Sequence, residues 1–230
     1  MPGHCLLCYI TDRTAFAADE PTRRRRLLEK IAEAARAGVD YIQLREKDLS
    51  TRELESLARE AVSTVRGARK LTTDHWLPTT VLLINSRTDV ALAVEADGVH
   101  LRSEDISPQE VQRIWNSCGA GTPARQLSPE DPLIAVSGHS PAAVKQAEGD
   151  GASFAVFAPV FEKKDVPGSQ AAGLVQLREA CKASIPVLAL GGVKLENTKS
   201  CLEAGAAGIA AIRLFQENNV TELVKKMKAL

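Results

Sequence analysis

The sequence predicts a single-domain TIM barrel over residues 1–230, and a fourfold repeat is the main observation behind that prediction. The segments AGVDYIQL, VEADGVHL, DGASFAVF and AGAAGIAA each join the end of a helical pattern to a β-rich run. They align at steps of 57, 56 and 54 residues, which is about the length of two βα units. Four such quarters give eight strands. The aligned positions are Gly38, Glu95, Gly151 and Gly205.

The strand candidates themselves are the second observation. Between the repeated segments lie four further apolar runs, LLCYI, VLLIN, LIAVS and PVLALGG, each followed by a helical pattern. Apolar runs without alternation are typical of parallel strands covered on both faces. The regular alternation favours a closed barrel, with an open doubly wound sheet as the alternative.

Composition restricts the class of protein and its partners. The chain has 29 basic and 29 acidic residues, so no net field attracts nucleic acid or an anionic membrane, and anion recognition requires a local cluster. No apolar run approaches the roughly 20 residues of a membrane span, and we expect a cytoplasmic protein. The five cysteines indicate no disulfide framework. Cys5 and Cys8 are interpreted as strand residues that point to opposite faces, in preference to a redox or zinc pair.

In a TIM barrel the active site lies where the strands end, so polar residues directly after strands become candidates. The second strand ends in QLREKD, which places Gln43, Arg45 and Lys47 at the mouth. A forked guanidinium beside an ammonium suits a phosphate or pyrophosphate. The alternative is a surface ion-pair cluster with Glu46 and Asp48.

The third and fourth strands offer an amide, a histidine and carboxylates. Asn85 could orient a ligand or cap the helix that begins near Thr88. Asp105 could bind Mg²⁺, which takes a few protein oxygens together with substrate oxygens, or could cap the helix that follows it. His100 lies inside the fourth strand, so a hydrogen-bonded, barrel-lining role is expected for it.

His139 follows the fifth strand in the segment VSGHSPAAV. An ordinary pKa near 6.5 suits proton transfer close to neutral pH. Ser137 and Ser140 could orient its ring, and Ser140 could also cap the next helix. Its position at a strand end makes a catalytic role as plausible as a structural one.

The last three strands end in groups suited to anions. Gly191 and Gly192 follow the seventh strand, where backbone N–H groups of a glycine pair can approach a phosphate closely. Arg213 follows the eighth strand and could add a charged donor. The loop after the sixth strand, FAPVFEKKDVPGSQ, contributes Lys163 and Lys164, which could close over an anion.

Taken in order, the motifs YIQLREKD, INSRTD, SGHS, FAPVFE and IPVLALGGV resemble the thiamine phosphate synthase/TenI family over nearly the whole chain. The resemblance implies a TIM barrel, often dimeric, with a small-molecule phosphate as substrate. Synthases join hydroxymethylpyrimidine pyrophosphate to thiazole phosphate with Mg²⁺, whereas TenI-type members tautomerise a thiazole carboxylate phosphate without a cofactor.

The resemblance also implies roles for individual residues. The pyrimidine pyrophosphate would lie against the side chains after the second and third strands, with Asp105 as a Mg²⁺ ligand. The thiazole phosphate would lie at the glycine pair and at the backbone around Ile212 and Arg213. In a tautomerase, the histidine of the S-x-H-S motif, His139, would transfer the proton.

Departures from the synthase pattern favour a TenI-like tautomerase in this reading. Ser86 stands where synthases usually have aspartate, Arg102 and Ser103 replace a usual Gly-Gln pair, and Glu162 begins a segment that lacks the usual threonines. An active synthase, supported by QLREKD and Asp105, is the alternative. A non-catalytic phosphate-binding barrel is the third hypothesis.

Overall fold

The computed structural model describes residues 5–71, 79–119, 131–162 and 171–230, and in it eight parallel strands close into a barrel in sequence order. Parallel pairing joins each strand to the next, and β8 pairs with β1. The predicted TIM barrel is therefore confirmed. The strands are β1 Leu6–Ile10, β2 Tyr41–Leu44, β3 Val81–Asn85, β4 Gly98–Leu101, β5 Leu133–Gly138, β6 Phe154–Phe157, β7 Val187–Ala189 and β8 Gly208–Ala211.

Helices connect the strands and cover the outside of the barrel. A short 3₁₀ turn, Arg13–Ala15, precedes the first of them. None of the helices in the described ranges is long and apolar enough to cross a membrane. The helices are α1 Glu20–Ala37, α2 Thr51–Leu71, α3 Thr88–Ala93, α4 Pro108–Gly119, α5 Pro141–Gly149, α6 Gly173–Ala180, α7 Leu195–Glu203, α8 Arg213–Gln216 and α9 Val220–Met227.

The fourfold repeat is visible in the backbone. Each of the four aligned residues lies just before an even-numbered strand and has a left-handed conformation, with φ of 80° at Gly38, 54° at Glu95, 83° at Gly151 and 102° at Gly205. Glycine adopts this conformation without a steric cost, whereas glutamate does not. The same left-handed backbone conformation therefore precedes every second strand. In three of the four repeats a glycine adopts it, and in the other Glu95 does.

The apolar residues form two separate clusters, one between the barrel and its helices and one inside the barrel. Cys5 lies in the outer cluster and Cys8 in the inner one, as their spacing on one strand predicts. Burial raises the pKa of the Cys8 thiol to about 12, with the charge of Asp40 adding to the effect. Both cysteines are therefore packing residues in this fold.

Candidate active site

The interior of the barrel is apolar over most of its depth but polar at its mouth on one side. Alternation along β2 to β5 directs one side chain from the end of each strand onto this upper layer. The neighbouring positions in the layer, from β1, β7 and the end of β8, are aliphatic and belong to the inner cluster: Ile10, Leu190 and Ile212. The mouth thus has a polar half and an apolar half. The polar side chains are Gln43, Asn85, His100 and Ser137.

Three hydrogen bonds link the polar layer to the rim in one direction. Gln43 Nε2 donates to Asn85 Oδ1 at 2.7 Å, and Asn85 Nδ2 donates to Ser86 Oγ at 3.1 Å. The Ser86 hydroxyl in turn hydrogen-bonds the carboxylate of Asp105. We call this series the Gln43–Asp105 chain. It leaves Gln43 Oε1 buried without a partner among the described residues, so the amide presents an acceptor to the interior.

His100 is the second buried group that lacks a full set of partners. Its Nε2 lies 2.9 Å from Ser137 Oγ, and its Nδ1 has no partner within the described ranges. Burial, assisted by the charge of Arg45, lowers its pKa to about 4. The imidazole is therefore neutral at physiological pH, and the predicted barrel-lining, hydrogen-bonded role is confirmed.

Asp105 lies at the rim, in the turn after β4. Its carboxylate accepts hydrogen bonds from the backbone N–H of Arg102 at 2.8 Å and from the Arg102 guanidinium at 3.0 Å. Partial burial alone would raise its pKa, but the hydrogen bonds from Arg102 and Ser86 hold the pKa below its usual value. The carboxylate is ionised and already faces positive charge.

The helix-capping alternatives for Asn85 and Asp105 are wrong. The Asn85 side chain bonds to Gln43 and Ser86, and α3 begins after Arg87 without a side-chain cap. At the start of α4, Ser107 and Glu110 cap each other reciprocally.

Arg45 and Lys47 lie on the rim directly after β2, as predicted. Arg45 is half-buried and Lys47 is exposed. Burial lowers the pKa of the Arg45 guanidinium, while the carboxylates of Asp12 and Glu46 oppose that shift. The charge of Arg102 also acts on Arg45, so cations from β2 and β4 face each other across this part of the mouth.

Glu46 and Asp48, the carboxylates of the alternative ion-pair cluster, both turn towards Arg13. The guanidinium Nη1 and Nη2 of Arg13 reach the two oxygens of Asp48 at 2.7 and 2.9 Å, and Nη1 reaches Glu46 at 3.3 Å. Its Nε donates to Glu20 at 2.6 Å. The hydrogen bond that Arg13 donates to Asp48 is the largest cause of the raised pKa of Arg13.

Thr11, directly after β1, also bonds to the residues that follow β2. Thr11 Oγ1 donates to Glu46 Oε1 at 2.6 Å and accepts the Arg45 N–H at 2.9 Å. Thr11 and Arg13 are buried. Sequence reasoning missed both residues, although TDR follows β1 directly and the rule applied to the other strand ends would have included them.

His139 lies immediately after β5, on the rim, and is exposed. Its Nδ1 donates to the backbone oxygen of Ala158, at the end of β6, with a separation of 2.7 Å. A carbonyl can only accept, so the neutral ring carries its proton on Nδ1 and presents a basic Nε2. The expectation that Ser137 or Ser140 orients the ring is wrong, because Ser137 bonds to His100 and Ser140 caps α5.

Gly191 and Gly192 follow β7 and both adopt positive φ, at 93° and 64°. A Cβ on Gly191 would meet Pro159 at 2.7 Å, and one on Gly192 would meet the Glu162 carbonyl oxygen at 2.9 Å. Backbone bonds from Val160 and Phe161 continue the β6–β7 pairing through this turn. The glycines therefore permit a close approach of the β6 loop. Gly191 is buried by that approach, and Gly192 stays partly exposed.

The remaining candidates lie at the adjoining strand end or outside the described ranges. Ile212 precedes α8 and contacts the inner cluster, while Arg213 is the first residue of α8 and is exposed. Lys163 and Lys164 lie outside the described residues. Within the part of the chain that the structure describes, no group of three or more His, Cys, Asp or Glu side chains is arranged to hold a metal ion.

Comparisons with known proteins agree on one family. The family model described as thiamine monophosphate synthase matches residues 7–215. A thiamine-phosphate synthase of Clostridium novyi is 35% identical over 93% of this chain and 91% of its own length. A thiamine-phosphate synthase of Methanoculleus marisnigri is 34% identical over 96% and 93%. The solved thiamine phosphate pyrophosphorylase of Pyrococcus furiosus superposes with a TM-score of 0.73 at 27% identity, covering 97% of this chain and 94% of that one.

Proposed function

The chain belongs to the thiamine monophosphate synthase family, and from that premise we propose that it condenses hydroxymethylpyrimidine pyrophosphate with thiazole phosphate to form thiamine phosphate. The observation that supports this most is the polar half of the mouth, where buried hydrogen-bonding groups lie beside rim cations. The departures from the synthase motifs favour a tautomerase, but the relatives are named as thiamine-phosphate synthases. We therefore rank the condensation first.

The polar layer suits a heteroaromatic ring that both donates and accepts hydrogen bonds. Gln43 Oε1 can only accept, and the unpartnered nitrogen of His100 donates or accepts according to its tautomer. A buried polar atom without a partner costs about 1–3 kcal/mol, and a ligand that pairs with it recovers that energy. An aminopyrimidine offers an amino donor and ring nitrogens to these two atoms.

The rim cations suit the pyrophosphate of the same substrate. Arg45 and Lys47 are presented from β2 and Arg102 from β4. As the bond from the pyrimidine methylene carbon to the pyrophosphate oxygen breaks, negative charge grows on the leaving group, and preorganised cations stabilise it. The thiazole nitrogen then forms the new bond to that carbon.

The residues at the rim fit a Mg²⁺ ion in part. Asp105 is an ionised carboxylate, and the Ser86 hydroxyl oxygen lies next to it in the Gln43–Asp105 chain, whereas Asn85 turns its amide nitrogen towards Ser86. Mg²⁺ needs only one or two carboxylates when substrate phosphates supply further oxygens. When bound, the ion would neutralise charge on the departing pyrophosphate.

Thiazole tautomerisation is the second candidate, and the geometry of His139 favours it. The Nδ1 contact to Ala158 fixes a tautomer with a basic Nε2 at the rim, between the ends of β5 and β6. The glycine pair after β7 would anchor the phosphate while Nε2 moves a proton to or from a ring carbon.

Two assays on purified protein separate the candidates. We expect Mg²⁺-dependent formation of thiamine phosphate from the two substrates, with at most a modest loss in His139→Ala. Tautomerisation of thiazole carboxylate phosphate that disappears in His139→Ala, together with no condensation at any Mg²⁺ concentration, would replace the condensation with the second candidate. Phosphate binding without either reaction would support the non-catalytic barrel.

A further inference from the structure

Arg13, like its partner Glu46, is an enclosed charged side chain near the mouth, and its burial explains why it does not itself meet a ligand. Only 4% of the side chain is accessible to solvent. Every one of its guanidinium nitrogens contacts a carboxylate of Glu20, Glu46 or Asp48. Its positive charge is therefore balanced by carboxylates within the protein.

The partners of Arg13 lie in the segment that carries the rim cations. Glu46 stands between Arg45 and Lys47, and Asp48 follows Lys47. Glu46 also accepts the Arg13 backbone N–H at 3.0 Å. Three groups of the segment from Arg45 to Asp48 thus bond to residues just after β1. The Arg45 backbone N–H donates to Thr11, and the carboxylates of Glu46 and Asp48 both accept from Arg13.

We propose that Arg13 is a positioning residue, which fixes the loop after β2 so that Arg45 and Lys47 meet the pyrophosphate of the substrate. The bidentate bridge to Asp48 is the contact that sets this position, because Asp48 lies at the far end of the loop and is half exposed, with 55% of its side chain accessible. A planar fork matches a carboxylate in one orientation only. The inference rests on the proposed condensation for the identity of the anion.

Two variants break the bridge without leaving a buried charge alone. Asp48→Asn keeps Arg13 paired with Glu46 and Glu20. Arg13→Lys keeps a cation beside Glu46 but loses the fork. Both avoid the large destabilisation expected when one partner of a buried ion pair is simply removed. Arg25→Met, which breaks an exposed pair with Glu29 on α1, is the matched control.

The measurement is the dissociation constant of inorganic pyrophosphate in the presence of Mg²⁺, by calorimetry, alongside that of thiazole phosphate. We expect roughly tenfold weaker pyrophosphate binding in either variant, since a small misplacement of a binding group is costly. Thiazole phosphate should bind unchanged, and so should both ligands in Arg25→Met. The double variant should be no weaker than the single ones, because both remove the same bridge.

The sign of the Asp48→Asn effect distinguishes positioning from simple charge. Removing a negative charge beside an anion site strengthens anion binding if the field alone matters, whereas the positioning role predicts weaker binding. Tighter or unchanged pyrophosphate binding in folded Asp48→Asn would overturn the inference, as would an equal loss for both ligands. No pyrophosphate binding by the parent protein would overturn the proposed condensation and this role together.

Discussion

At the scale of single residues, the mouth of the barrel is governed by which polar atoms are paired and which are not. Asn85 hydrogen-bonds Gln43, and Ser137 hydrogen-bonds His100. Gln43 and His100 nevertheless each keep one buried atom without a partner among the described residues. Such atoms are costly in a folded protein unless a ligand pairs with them. They therefore mark the part of the interior that is built for recognition.

His100 should make stability depend on pH. Its pKa falls from 6.5 to about 4 on folding, so below pH 6.5 the unfolded chain binds a proton that the folded chain does not. The free energy of unfolding should consequently fall as pH drops from about 6.5 to 4, by about 3 kcal/mol in total. Chemical denaturation at pH 7 and pH 4.5 measures this, and His100→Gln should show a smaller fall. Equal falls in both proteins would contradict the prediction.

Ser86 should control affinity for Mg²⁺. The residue has φ of 60°, a conformation that aspartate tolerates well, and its hydroxyl contacts Asp105. Ser86→Asp places a second carboxylate there, which is repulsive until a cation binds. We expect Mg²⁺ to raise the melting temperature of Ser86→Asp by more than that of the parent, measured by thermal unfolding. Ser86→Asn is the control, and an equal response in all three would argue against a cation site.

At the scale of elements, a residue with positive φ precedes each even-numbered strand. It is glycine before three of these strands and Glu95 before β4. Glu95→Gly should stabilise the protein by about 1 kcal/mol, because it removes the left-handed cost of a side chain. Gly151→Ala should destabilise it by a similar amount, since nothing lies within 4 Å of the added Cβ and only the conformation changes. Denaturant unfolding tests both. A loss of stability in Glu95→Gly would show that the side-chain ion pair with Arg66 outweighs the strain.

Gly192, in the turn after β7, should tolerate a side chain less well than a glycine that faces open space. In Gly192→Ala the new Cβ would meet Phe161 at 2.7 Å and the Glu162 carbonyl oxygen at 2.9 Å, so the β6 loop must shift. We expect a loss of about 2–3 kcal/mol from overpacking and conformation together. Gly173→Ala, which has positive φ but open space, should cost only about 1 kcal/mol. Equal losses in denaturant unfolding would contradict the steric argument.

At the scale of the whole molecule, the barrel could be predicted because its signal is local and repeated. Apolar strand runs, helical patterns and the left-handed residue before every second strand each lie within one continuous stretch of the chain, and their order specifies the topology. The candidate site was predicted less completely. Strand ends placed Gln43, Arg45, Asn85 and His139 at the mouth, but their partners could not be read from the chain.

Those partners depend on contacts between distant positions. Thr11 meets Glu46, and Arg13 meets Asp48, across 35 residues in each case, and nothing in either local pattern indicates such a pair. His139 shows the same limit, because its ring is held by a backbone oxygen 19 residues away rather than by the serines beside it. Side-chain pairing at the mouth is a property of the closed barrel.

The Gln43–Asp105 chain has a direction, since each group donates towards the ionised carboxylate at the rim. The negative charge of Asp105 thus keeps the two amides and the hydroxyl in one of their two possible orientations, with Gln43 Oε1 turned inwards. A change of charge at Asp105 removes the preference for that orientation. The rim and the interior are therefore coupled, and a cation bound at Asp105 should change how selectively the mouth recognises a ring.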